Sequence, residues 1–89
     1  MAQCVVANIP GRAGADFDAI IKEIAPGGLP KGVVTQIVGT SAEGLAIITL
    51  WDTDEAEQFV QNNVKPVLVK HGMKPNISVL QVHRSYQRG

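Results

Sequence analysis

An amide and an imidazole share the apolar stripe of a helical segment in the second half of this chain. Counting from Phe59, the residues that fall on one helical face are Phe59, Val60, Asn63, Val64, Val67, Leu68 and His71. A polar group left unpaired in a packed core costs about 1 to 3 kcal/mol. Two such groups, two turns apart, therefore point to a cleft with a partly polar lining, roofed by this helix. The plainer reading is that each is satisfied alone. Pro66 lacks a backbone donor and crowds the carbonyl of Asn62, so it is expected to break the helix into two segments. The Asn63 amide then either bonds the carbonyl that the proline leaves unpaired or faces a cavity. His71 in the last turn suits the negative end of the helix dipole.

Two further residues carry chemistry. His83 shares a strand face with Ile77, Val79 and Gln81 by the period of two, and is either a proton acceptor or a core histidine held by one hydrogen bond. Trp51 closes a strand just before a helix and either stacks on a ligand or packs the hinge. Together they are expected to close the cleft from the sheet side. Asn8, Thr35, Gln36 and Thr49 are polar residues within strands whose facing the sequence leaves open. Arg84 and Tyr86 are close enough to the end of the chain to reach a partner subunit. Two histidines and a single cysteine on separate elements have no metal-ligand spacing, so no metal site is expected. Cys4 lies in an apolar run and reads as a buried, inert thiol. No Ser-His-Asp or Cys-His pairing can be drawn, and Pro26-Gly27-Gly28 precedes a proline rather than a helix, so it is punctuation and not a phosphate cradle.

The elements that must position these residues follow from periodicity. Residues 3–9 form an apolar strand closed by Pro10-Gly11. From Asp16, Phe17, Ile20, Ile21 and Ile24 mark an amphipathic helix ended by Pro26-Gly27-Gly28. Residues 32–39 and 45–51 are β-branched runs joined by a small, polar loop, and should pair antiparallel. Asp52, with Glu55 three residues on, is the expected cap of a helix running to Gly72. Residues 77–83 make a fourth strand. The order β-α-β-β-α-β with right-handed crossovers predicts an α+β, ferredoxin-like domain over residues 1–89, a four-stranded antiparallel sheet with both helices on one face. The strands lack clean polar alternation, so the helix-free face also wants cover. A second copy packed sheet to sheet, a homodimer, is expected to supply it.

Composition narrows the function. With 89 residues the chain is one domain, burying roughly 60 to 65% of its unfolded surface. Eight basic and eight acidic residues cancel, which disfavours nucleic-acid binding. The longest apolar run is too short for a membrane span. A basic n-region and a long apolar h-region are both lacking, so a cytoplasmic location is expected.

The run Pro30-Lys31-Gly32-Val33-Val34, the run from Gly44 to Asp52 followed by Glu55-Ala56-Glu57-Gln58-Phe59, then Pro66, Gly72 and the closing Val82-His83, resemble the dimeric α+β barrel proteins. Among these the chain looks most like the small single-domain members grouped around the antibiotic-biosynthesis monooxygenases. The resemblance implies a range of activities: cofactor-free oxygenases of polycyclic phenols, quinol oxygenases, haem-degrading enzymes, lactone isomerases and proteins of no assigned activity, several with substrate in a cleft between helices and sheet. It implies first a cofactor-independent monooxygenase acting on an aromatic or polyketide-like molecule. His71 or His83 would then be the base, with Asn63 and Trp51 orienting the substrate and no cofactor needed. The alternative is a non-catalytic dimer that binds a small apolar ligand or serves as an accessory protein. An open helix-sheet cleft holding an imidazole favours the first, a filled core the second.

Overall fold

The computed structural model describes residues 2–86 and 88. Four strands, β1 (Gln3–Pro10), β2 (Val33–Ser41), β3 (Gly44–Trp51) and β4 (Asn76–Gln81), form one antiparallel sheet in the order β2-β3-β1-β4. Helix α1 (Gly14–Ile24) connects β1 to β2, and a composite second helix connects β3 to β4. This is the ferredoxin-like arrangement expected from the element order. Among the described residues, no helix is long and apolar enough to cross a membrane.

Pleating divides each strand between two faces. On β1, Gln3, Val5, Ala7 and Ile9 point to the helices and are all buried, while Cys4 and Val6 are half-buried and Asn8 is exposed on the other face. Register carries the division across the sheet. Val5 pairs with Thr49 and Val79, Thr49 with Gln36, and Ala7 with Ile47 and Ile77, so all of these face the helices. Of the four polar strand residues left open by the sequence, Gln36 and Thr49 thus share the helix side, whereas Asn8 and Thr35 lie on the open side.

The hairpin between β2 and β3 is tighter than the five-residue loop suggested by the sequence, because Ser41 and Gly44 already pair and only Ala42 and Glu43 remain outside. Gly44 makes this possible: its φ is +139°, and a Cβ there would stand 2.5 Å from the Ile9 carbonyl oxygen.

The core has two parts. Ile9, Phe17, Ile20, Ile24, Leu45, Leu68 and Met73 form one cluster, and Val5, Trp51, Ala56 and Val60 the other. Phe59 and Ile77 pack against both. Burying a side chain such as Ile20 or Leu68 contributes about 1.5 to 3 kcal/mol, so these clusters fix the helices on the sheet.

The second helix differs from the expected one at its start and its middle. It begins at Ala56, not beside Asp52, because the buried Gln3 side chain on β1 supplies the cap: the Ala56 N–H donates to Gln3 Oε1 at 3.2 Å. Helix α2 (Ala56–Phe59) then widens into a π-helical turn (Val60–Val64) before α3 (Lys65–Lys70). Pro66 stands in the first turn of α3, and the Lys65 N–H reaches back five residues to the Val60 carbonyl. The proline therefore divides the helix as expected, but by a change of hydrogen-bond register with helical dihedrals on either side, −60°/−48° at Val60 and −57°/−45° at Lys65.

Candidate functional site: a cavity and vestibule divided by an aromatic pair

An apolar cavity of about 50 Å³ lies between helices and sheet, at the seam of the two core clusters. Its walls include Val5, Phe17, Ile24, Trp51, Phe59, Val60 and Leu68. Outside it lies an open, more polar depression of about 480 Å³, bordered by Pro30, Lys31, Gly32, Glu55, Gln58, Asn62 and Asn63. Trp51 and Phe59 line both spaces.

Local structure explains that partition. Trp51 ends β3 opposite Gln3 and Val33 and is 2% exposed. Gly32 packs directly beneath it: a Cβ at that position would come within 3.1 Å of the indole and 2.7 Å of the Thr53 hydroxyl. Phe59 is the last residue of α2, one step before the π turn, and its ring sits 5.4 Å from that of Trp51 at 53°. Tilted packing of this kind is the favoured aromatic geometry.

Asn63, in the π turn, is on the border of the vestibule rather than over the cavity. Its amide nitrogen donates to the Ile24 carbonyl at 3.5 Å, a long bond to the C-terminus of α1, and not to the carbonyl freed by Pro66. The π turn explains this: it takes up the proline gap within the backbone and leaves the side chain available to the neighbouring helix.

The two histidines are elsewhere. His71 caps α3, and its Nε2–H donates to Glu23 Oε1 on α1 at 3.0 Å, while Lys70 Nζ holds Glu23 Oε2 at 3.2 Å. These hydrogen bonds, from His71 first and then Lys70, lower the Glu23 pKa below the usual 4.5. The plainer reading of His71, an imidazole at the C-terminal end of the helix, is the one its position fits, and the Glu23 partner is an addition from the structure. His83 also departs from its expected place. Strand β4 stops at Gln81, so the alternation that would have turned His83 inward ends two residues early. It is exposed beside Cys4, Leu50 and Leu80, which belong to the open face. Thus Trp51 and Asn63 meet at one site, and His71 and His83 join neither it nor each other.

Sequence reasoning missed two parts of the site. Phe59 appears in the sequence as one more stripe residue, and Gln36 and Thr49 gain meaning only from register. Both of the latter line the cavity, where they bring hydroxyl and amide chemistry to walls that are otherwise apolar or aromatic. Among the described residues, no group of three or more His, Cys, Asp or Glu side chains gathers to hold a metal ion.

The comparisons agree with this architecture. The chain matches SnoaB, a cofactor-independent oxygenase from Streptomyces nogalater solved as an asparagine-to-alanine variant, with a TM-score of 0.64 and 13% identity over 98% of this chain and 97% of that one. It also matches a candidate antibiotic biosynthesis monooxygenase from Chloroflexus aurantiacus J-10-fl, with a TM-score of 0.56 and 13% identity over 96% and 98%. No protein-family model and no curated protein sequence matches. At this level of identity the likeness shows the fold: this chain has the ferredoxin-like α+β architecture of these two proteins.

Proposed function

We propose that this protein is a small-molecule enzyme, a cofactor-independent monooxygenase that takes an aromatic or polyketide-like substrate into the helix-sheet cleft. The observation that carries the reading is the meeting of an apolar cavity with a polar vestibule at the Trp51–Phe59 pair. Such a site suits an amphipathic ring system, with its apolar body among the cavity walls and a charged or strongly polar edge toward Asn63 and Lys31. Its similarity in fold to SnoaB supports the same reading. In this chemistry an electron-rich phenolate reacts with oxygen, and the protein's part is to orient the ring and exclude water. Trp51 and Asn63 are the substrate-binding residues on this reading. With both imidazoles outside the cleft, proton acceptance by His71 or His83 has no geometric support, and the phenol loses its proton to solvent through the open vestibule.

A second reading, a non-catalytic binder of small apolar ligands, is favoured by the size of the cavity. About 50 Å³ holds a water or two, whereas a cavity that accepts benzene is about 150 Å³, so a ring enters only if Phe59 or its neighbours move. Either function is proposed for a homodimer. Ile37, Ile48 and Leu80 stand exposed on the helix-free face, where a second copy would cover them.

Oxygen uptake with dihydroxynaphthalenes tests the first reading. Turnover that falls at least tenfold in Asn63→Ala and is unchanged in His71→Ala and His83→Ala is the expected result. Binding without oxygen uptake for every such phenol leaves the ligand-binding reading in its place.

A further inference from the structure

We infer that Thr49 and Gln36 form a recognition pair for a neutral oxygen, a hydroxyl or a ring carbonyl, carried on the inward edge of the ligand. The inference rests on the reading of the cleft as a ligand site and extends it to a residue pair and a substrate class. Thr49 is only 8% exposed and lies on the central strand β3. Gln36 stands directly opposite it on the edge strand β2, on the same face. Both line the cavity. Among the described residues, neither side chain has a hydrogen-bond partner in the protein. Yet among the described residues no buried side-chain polar atom is sealed away unpaired, so the Thr49 hydroxyl opens onto free space. The adjoining free space is the cavity.

The chemistry of the pair selects its ligand. A hydroxyl and a carboxamide each donate and accept, so they suit a group that does either. Neither carries charge, and no cation lines the cavity with them, which makes the site poor for a carboxylate or a phenolate. Apolar walls on the other sides demand a ring. The fitting ligand is a planar aromatic with a neutral hydroxyl or carbonyl at its inner edge, and any ionised oxygen turned outward to the vestibule, where Lys31 stands. A polar pair inside apolar walls also rejects a bare hydrocarbon, since that would leave the pair unpaired.

Calorimetric titration of the full chain with naphthalene and 2-naphthol tests this, using wild type, Thr49→Val and Gln36→Leu. Both substitutions conserve volume approximately, and thermal unfolding of each variant checks that it remains folded. The expected result is that the preference for 2-naphthol over naphthalene falls roughly five- to tenfold in each variant, while naphthalene binds as well or better. An unchanged preference in both folded variants overturns the inference and leaves the cleft as a ligand site. Failure of the wild type to bind either compound overturns the inference and the ligand-site reading together. Binding with the expected preference but without oxygen uptake removes only the oxygenase reading.

Discussion

The Phe59 ring lies 5.4 Å from the Trp51 ring, and this pair is the wall between an inner apolar space and an outer polar one. The two residues differ in how firmly they are held. Trp51 is fixed by β-sheet register and by the close approach of Gly32, whereas Phe59 sits at the junction of an α-helical and a π-helical segment. Opening of the wall therefore falls to Phe59. Replacing Phe59 by alanine should cost about 2 kcal/mol, below the 3 to 5 typical of a fully buried phenylalanine because Phe59 is half-buried. The same change should speed the entry of 2-naphthol. Urea unfolding measures the first effect and stopped-flow quenching of Trp51, the single tryptophan, the second. An entry rate equal to wild type would show that the ring is not the barrier.

The π turn has its own logic in the sequence. The buried and half-buried residues Ala56, Val60, Val64 and Leu68 are spaced four apart throughout. In an α-helix of 3.6 residues per turn, each such step overshoots by about 40°, so the stripe would drift by roughly 120° over three steps. A wider turn in the middle brings it back onto the sheet. Core packing, as well as Pro66, thus supports the π register. Pro66→Ala is accordingly expected to change stability by less than about 1 kcal/mol, the new backbone hydrogen bond offsetting the gain in unfolded-chain freedom. Amide exchange should show residue 66 protected and Val64 still in the core. A shift of the segment to regular α spacing, with Val64 rotated to solvent, would overturn the packing argument.

That spacing was available in the sequence, as was the element order. Phe17, Ile20 and Ile24 mark α1 by their period alone, and all three are buried. What pattern could not supply was information carried between distant elements. Ala56 starts the second helix because Gln3, fifty-three residues earlier, bonds its N–H, so a local capping signal at Asp52 misplaced the start. Alternation on paper turns His83 inward, whereas in the sheet β4 ends at Gln81 opposite Gln3, followed by one more backbone bond, from the Val82 N–H to the Ala2 carbonyl, short of His83. Gln36 and Thr49 look alike to Thr35 and Asn8 until register separates them.

Glu23 links stability to pH through His71 and Lys70. Its pKa is lowered in the folded protein, so the carboxylate contributes stability above its unfolded value, near 4.5, and loses it as pH falls through the lowered folded value. The side chains are partly exposed and the effect is screened. Thermal unfolding between pH 3 and 6 should therefore show a slightly smaller rise in Tm with pH for Glu23→Gln than for wild type. Identical profiles would mean that the contact between α1 and α3 adds nothing measurable. Because His71 serves this contact while Lys70 still holds the carboxylate, His71→Ala should move the profile part of the way toward that of Glu23→Gln.

The helix-free face makes the strongest demand on a partner. Ile37 is 58% exposed and Leu80 51%, and both stand on this face with Ile48. Register puts Ile37, Ile48 and Val6 in one row across three strands, and Thr35, Leu50, Cys4 and Leu80 in the next. A contiguous apolar area of this kind, centred on a sheet with no helix above it, is rare on a lone domain and typical of a covered one. The formal charge of zero adds no repulsion between copies. Two such faces meeting would bury at least the roughly 1,200 Å² of a stable interface. Ile48→Lys puts a charge at the centre of that interface while leaving the helix-side core untouched. In sedimentation equilibrium at micromolar concentration, wild type should be a dimer and the variant a folded monomer, its association weakened at least about a hundredfold, the scale of an uncompensated buried charge. A wild-type monomer would remove the dimer from the proposal, and a variant that still dimerises would move the interface to another surface.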